Sequence, residues 1–279
     1  VTFENAPAAY TKSGESTINV LRDIATRNKY STSLYYTDTL YHGIPQSRKR
    51  TFVTFFKESN PAIFDYQKVQ TETLDDYLKK IPDSSVNYND YIYEKYDALD
   101  DYYKFIMYET NSKSFLEAID KIDATAKKST WTSAQIVIEL GIDKAIAYFD
   151  DEKIKNKLIH IKTKLEDGKS FWDNTTILAN RGKFTNAIVG KSLPSMIHPS
   201  EERAYNIREL LHLMGMPLDF ELNEPKKYYN CICQNVPVTT AKFICDNIKN
   251  YLSGNLQIYS SDFLKQNNLK RKIDTVENW

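Results

Sequence analysis

Two guanidinium groups and an amide stand at alternate positions in the stretch YHGIPQSRKRTFVTFF, residues 41–56: Gln46, Arg48 and Arg50. If a strand begins near Gln46, a period of two places these three on one face, with Ser47 and Lys49 on the other. A guanidinium is planar, permanently charged and able to donate two parallel hydrogen bonds, so the fork suits a phosphate or a base edge. The spacing fits an edge strand blunted by charge equally well. A second reactive pair stands where the strand-like Val1-Thr2-Phe3 runs into Glu4 and Asn5. Taken alone, Glu4 reads as an exposed acid at a frayed terminus. Cys231, Cys233 and Cys245 are too few and too close for a disulfide framework, which fits a reducing cytoplasm. The Cys231-x-Cys233 pair has no nearby His and no second pair, so it reads as buried thiols and no metal is expected.

The elements that must position these groups are legible in outline. Thr17–Arg27 carries Ile18, Leu21 and Ile24-Ala25 at helical spacing. Ser33–Tyr36 and Thr51–Phe56 have strand composition, with the turn signal His42-Gly43-Ile44-Pro45 between them. Strand, helix, strand, turn, strand is the texture of an α/β sheet. From Pro61 the character changes to a mixed, helix-rich insertion reaching about residue 195. Thr73, Ser114 and Thr132 each precede an acid or amide at the third position and predict helix starts. A further helix is predicted over Glu152–Leu165, through Ile154, Leu158, Ile161 and Leu165, and stopped by Gly168. Ser84–Tyr108, crowded with Tyr and Asp, takes no clear assignment. Asn206-x-x-Glu209 caps a short helix over Ile207–Met214, and Pro237 introduces a last amphipathic helix over Val238–Leu252.

With 279 residues and 41% hydrophobic content, the chain can bury a core divided between two domains. No run of about eighteen apolar residues occurs and no basic-then-apolar leader precedes Val1, so neither a membrane span nor a secretory signal is expected. The start on Val1 suggests an internal cut, a removed tag or upstream sequence. The formal net charge is +0, so no global field recruits a polyanion. Locally, residues 61–125 carry 14 acidic against 7 basic residues, and residues 153–191 carry 9 basic against 3 acidic. The second block is the expected phosphate contact, unless it is a solvated helix face. Within it Asn180, Arg181 and Lys183 flank Gly182 in a basic turn able to reach a groove.

Taken together, the motifs resemble those of DNA (cytosine-5) methyltransferases. Gly43-Ile44-Pro45-Gln46-Ser47-Arg48-Lys49-Arg50 matches the eighth conserved motif of that family, G-[VI]-P-Q-x-R-x-R, completely. Phe3-Glu4-Asn5-Ala6-Pro7 stands some forty residues upstream, where the family has its Glu-Asn-Val motif. HPSEERAYNIRELLHLMGMPLDF resembles the ninth motif through Arg203, Arg208-Glu209, Gly215, Pro217 and Asp219-Phe220, and CQNVPVTTAKFI resembles the tenth. The resemblance implies an α/β fold, a partial Rossmann-like methyltransferase sheet joined to a mixed, helix-rich target-recognition domain. It implies residues 1–60 as catalytic domain, 61–227 as recognition domain including motif nine, 228–255 as the final helix returning to the catalytic domain, and 256–279 as tail.

By the same resemblance Glu4 is the carboxyl group that hydrogen-bonds the target cytosine, and Asn5 holds the adjoining backbone. Arg48 and Arg50 hold the base and its phosphate, Gln46 braces the loop, and Gln234 or Asn235 approaches the methyl donor, S-adenosylmethionine. Arg203 and Arg208 organise the recognition domain or touch DNA. The expected partner is double-stranded DNA, with the target base turned out of the stack. The family's Pro-Cys nucleophile and Phe-x-Gly-x-Gly cofactor turn do not occur in these 279 residues, and no cysteine follows a proline. The expectation is therefore an N-terminal half or complementary subunit that carries both, with this chain inactive alone and a cognate restriction endonuclease as a further partner. The alternative is a non-catalytic DNA-binding or scaffold protein derived from such an enzyme.

Overall fold

Runs of Thr, Val, Tyr and Phe form the strands that carry both reactive pairs. The computed structural model describes residues 1–10, 12–57, 69–82, 101–123, 131–171, 177–178, 183–190 and 196–255. Its chain divides into two units, residues 1–71 with 236–279, and residues 72–235.

In unit 1, β1 (Thr2–Asn5) is followed by α1 (Glu15–Arg27), β2 (Ser31–Asp38), β3 (Gln46–Ser47) and β4 (Lys49–Phe56). The three long strands form one sheet in the order β1-β4-β2, antiparallel at both junctions. Glu4 stands opposite Phe52, which stands opposite Tyr35, so these three side chains share one face. Helix α9 (Val238–Leu252) covers that face: Phe243 lies 5.8 Å from the Tyr35 ring, and Tyr251 lies 4.7 Å from Phe56. Tyr35, Phe52, Phe56 and Ile244 are buried there, and burial of each large side chain stabilises by about 1.5–3 kcal/mol. Among the described residues β1 is the edge strand, paired with β4 alone, and Phe3 on it is 52% exposed.

The described residues of unit 2 form two apolar cores. Its elements are α2 (Leu74–Leu78), α3 (Tyr103–Thr110), α4 (Phe115–Asp123), β5 (Trp131–Thr132), α5 (Ser133–Tyr148), α6 (Glu152–Glu166), β6 (Ile177–Leu178), β7 (Thr185–Asn186), β8 (Met196–Ile197), α7 (Ile207–Leu213) and α8 (Pro225–Ile232). The first core joins α3, α4, α5 and α6 around Phe105, Ile106, Phe115, Ile136 and Leu158. The second joins α2, α7 and α8 around Leu74, Leu210, Leu213 and Ile232. A small sheet runs β5-β6-β8, antiparallel then parallel.

Predicted helix starts coincide with observed caps. Thr73 Oγ1 accepts from Asp76 N–H, and both Thr132–Gln135 and Asn206–Glu209 form reciprocal capping boxes. Among the described residues two helices fall outside the expectations: α3 starts in the unassigned Tyr/Asp-rich stretch and runs past it to Thr110, and α8 begins at Pro225. On α6, Leu158 and Ile161 are buried as expected, whereas Leu165 is 39% exposed because it lies past the buried stripe. Among the described residues no helix is long and apolar enough to cross a membrane.

Candidate active site

The Arg-rich strand is not continuous. Gln46–Ser47 and Lys49–Phe56 are extended, and Arg48 between them belongs to neither strand. Gln46 and Arg48 are buried, Lys49 is exposed, and Arg50 is intermediate. What fixes the break is a carboxylate that sequence reasoning missed. Asp38, buried at the end of β2, accepts through Oδ1 from Arg48 N–H (3.0 Å) and Leu40 N–H (3.2 Å), and through Oδ2 from Ser47 Oγ (3.0 Å). Thr39 closes the other side, its N–H and hydroxyl both donating to the Arg48 carbonyl at 3.1 Å. Both backbone polar groups of Arg48 are thus held. Gly43 takes a φ of +81°, and a Cβ there would lie 3.3 Å from Val69 Cγ1, so the turn requires glycine. The only advance signal for Asp38 is an Asp ending a strand ahead of the Gly-Ile-Pro-Gln turn.

Beyond the break Arg50 rejoins β4, opposite Thr37. Glu4 lies diagonally across from it on β1, and Arg50 Nε meets Glu4 Oε1 at 2.6 Å. A third of the Glu4 side-chain surface and a fifth of that of Arg50 remain open to solvent, at 33% and 19%. The same guanidinium donates from Nη1 to the Lys49 carbonyl at 2.7 Å, which fixes its plane. Asn5 turns back on its own chain, its Oδ1 accepting from Ala6 N–H at 2.7 Å. On the same sheet face Thr37 Oγ1 shares a hydrogen bond with His42 Nε2 (2.8 Å), and His42 packs on Phe243 at 4.7 Å. A carboxyl group and a guanidinium therefore meet at one partly open sheet edge. Such a pair can present hydrogen-bond acceptors and donors to a polar heterocycle while holding each other in place.

The remaining candidate residues belong to unit 2. Gln234 and Asn235 are exposed on the turn after α8, and Asn235 Nδ2 donates to the Cys231 carbonyl at 2.8 Å. Lys183 is exposed; Asn180 and Arg181 lie outside the described residues. Much of the charge on α6 is locally paired: Lys155 with Glu152, Lys157 with Asp101, and Lys162 with Asp143 and Glu166. That is the pattern of a solvated helix face.

Both motif-nine arginines point inward. Arg203 forms a fork with Glu209, at 2.9 and 2.7 Å, and a further contact to Glu201 at 2.7 Å. Burial disfavours the Arg203 charge, but hydrogen bonds with Glu209 and Glu201 outweigh it and push its pKa up. Arg208 Nη1 donates to the carbonyls of Leu218 and Phe220. Arg203 therefore locks the start of α7, and Arg208 the turn beyond it.

A family model for C-5 cytosine-specific DNA methylases matches residues 1–250. The chain belongs to that family. No curated protein matches the chain. Among solved structures, this methylase-family chain resembles a protein from an E. coli prophage described as a DNA modification methyltransferase. The TM-score is 0.50 at 16% identity, over 90% of this chain and 69% of that one. The Entamoeba histolytica methyltransferase EhMeth aligns with a TM-score of 0.43 at 13% identity, over 92% of this chain and 62% of its own. The chain thus spans about two thirds of the length of these structures. The E. coli likeness is one of fold: a mixed α/β, Rossmann-like methyltransferase architecture with a partial sheet.

Proposed function

We propose that this chain supplies the base-activating carboxyl group, the arginines that hold the base, and the target-recognition domain of a DNA cytosine-5 methyltransferase. The observation that carries the reading is the 2.6 Å contact of Arg50 with Glu4 at an open sheet edge, in a chain of this family. Cytosine C5 is a weak nucleophile. A carboxyl group facing N3 and the exocyclic amine draws charge from the ring while a thiolate adds at C6, and electron density moves to C5. In this reading Glu4 contributes that carboxyl, and Arg50 orients it. Arg48 and Arg50 hold the flipped nucleotide, Gln46 braces the loop, and Asn5 fixes the strand end. The thiolate and the Gly-rich cofactor turn come from a complementary segment or subunit, and the chain alone is inactive.

S-adenosylmethionine supplies a methyl group activated by its sulfonium centre. The chemistry of Gln234 and Asn235 fits one flank of it, because two exposed amides on one turn offer both donors and acceptors to a polar nucleoside. Residues of the recognition domain, with Asn180, Arg181 and Lys183 among them, contact double-stranded DNA.

The test is Glu4→Gln in the complete methyltransferase that contains this chain. Methyl transfer to duplex DNA is expected to fall about 100-fold or more, with duplex affinity within about twofold of the parent. Unchanged turnover would remove the role of Glu4 and favour a DNA-binding scaffold.

A further inference from the structure

The carboxylate at the end of β2 has no part in the chemistry just described, yet the segment carrying Gln46 and Arg48 hangs from it. Asp38 is 6% exposed, and its two oxygens take three donors: the Arg48 and Leu40 amides and the Ser47 hydroxyl. Two of these lie nine and ten residues downstream, so the contacts close the whole turn between β2 and β4. Thr39 adds two bonds to the Arg48 carbonyl. Arg48 stands between β3, which ends at Ser47, and β4, which begins at Lys49, and its amide is shared between Asp38 Oδ1 at 3.0 Å and the Gln46 carbonyl at 3.1 Å.

We propose that Asp38 is a positioning residue for methyl transfer, an inference that rests on the function proposed for Glu4, Arg48 and Arg50. It sets the break that buries Arg48, and so fixes where its guanidinium and the Gln46 amide stand relative to the Glu4–Arg50 pair. The role is one of acceptor geometry, and the negative charge is not required. An asparagine can reproduce all three bonds: its Oδ1 accepts from the two amides, and its Nδ2 donates to Ser47 Oγ, a hydroxyl that accepts as readily as it donates. Alanine can reproduce none.

The experiment compares Asp38→Ala and Asp38→Asn in the complete methyltransferase. Asp38→Ala is expected to lower kcat about 100-fold, the penalty of misplacing reacting groups by about an ångström, with KM for S-adenosylmethionine unchanged. Asp38→Asn is expected to restore kcat to within about threefold of the parent. Wild-type kcat in Asp38→Ala, or an Asp38→Asn variant as impaired as Asp38→Ala, would overturn the inference. Should Asp38→Ala fail to fold, Ser47→Ala carries the test. It removes one donor of three and is expected to lower kcat by roughly threefold; no change would refute the inference. A readout independent of activity is amide hydrogen exchange of this chain. Protection at Arg48 should fall in Asp38→Ala, where the amide keeps only the Gln46 carbonyl, and be kept in Asp38→Asn; unaltered protection in Asp38→Ala would overturn the inference even if the parent enzyme transferred no methyl group.

Discussion

The Arg203–Glu209 fork shows how a residue that looks suited to DNA is committed elsewhere. Its two side chains are 13% and 8% exposed, and Glu209 also accepts from the Asn206 amide at 2.8 Å. Removing the carboxylate takes two hydrogen bonds from the guanidinium, which keeps Glu201 and the Ala204 carbonyl, and leaves the N-cap amide without this acceptor. Glu209→Ala is therefore expected to destabilise the chain by roughly 1–3 kcal/mol, read as a lower urea midpoint. Glu209→Gln keeps an acceptor for the Asn206 amide and should cost less. The capping half of this arrangement was legible in Asn206-x-x-Glu209, because a helix start constrains residues three apart. The ion-pair half was not, since Arg203 reaches Glu209 only after the chain has turned between them. Asp38 escaped notice for the same reason: its donors are brought to it by a closed turn, which no local period announces.

Helices and strands were read well wherever a face or a cap sets the pattern. Pro237 predicts the start of a helix over Val238–Leu252, and the structure has that helix over the same residues. Helix α3 was obscured because Tyr and Asp crowd its flank and mask its apolar period, although Phe105 and Ile106 are fully buried. In α5 the Thr132 cap fixes the start and says nothing of the interior, where Gly141 has φ +116° and ψ +102°, outside helical values. Ordinary helix propensity says that Gly→Ala inside a helix gains up to about 1 kcal/mol. Here the sign reverses, because alanine is strained at that φ and its Cβ would also touch the Lys144 side chain at 3.4 Å. Gly141→Ala should destabilise by about 1–3 kcal/mol, measured as a fall in the urea midpoint; a rise would show that α5 can straighten without loss.

At the scale of the whole molecule, a net charge of +0 gives no global field, so the response to pH falls to a few buried groups. Two histidines of unit 2 set its direction. The His198 pKa is lowered from 6.5 first by burial, and Arg203 adds to this while Glu209, Glu201 and Asp75 oppose it. The geometry agrees: His198 Nδ1 accepts from Ser200 N–H at 3.2 Å, so that nitrogen cannot take a proton without losing the bond. The His212 pKa is lowered by burial too, with Lys80 adding to this and the Tyr77 carbonyl and Glu72 opposing it. In both cases the unfolded chain binds protons near pH 6.5 while the folded chain does not. Stability therefore rises with pH across that interval and is lost as pH falls from about 6.5 through the folded pKa values. Glu201 extends the loss further down. Its pKa is lowered by the hydrogen bond from Arg203, so its share is present above the unfolded carboxylate pKa and disappears below it. The melting temperature of the chain should thus fall by on the order of 3 °C between pH 7.5 and pH 5.5, well above the range where carboxylates titrate. Replacing His198 and His212 together with asparagine should flatten that slope even if it lowers stability at every pH; an unchanged slope in the double variant would assign the acid sensitivity to other groups.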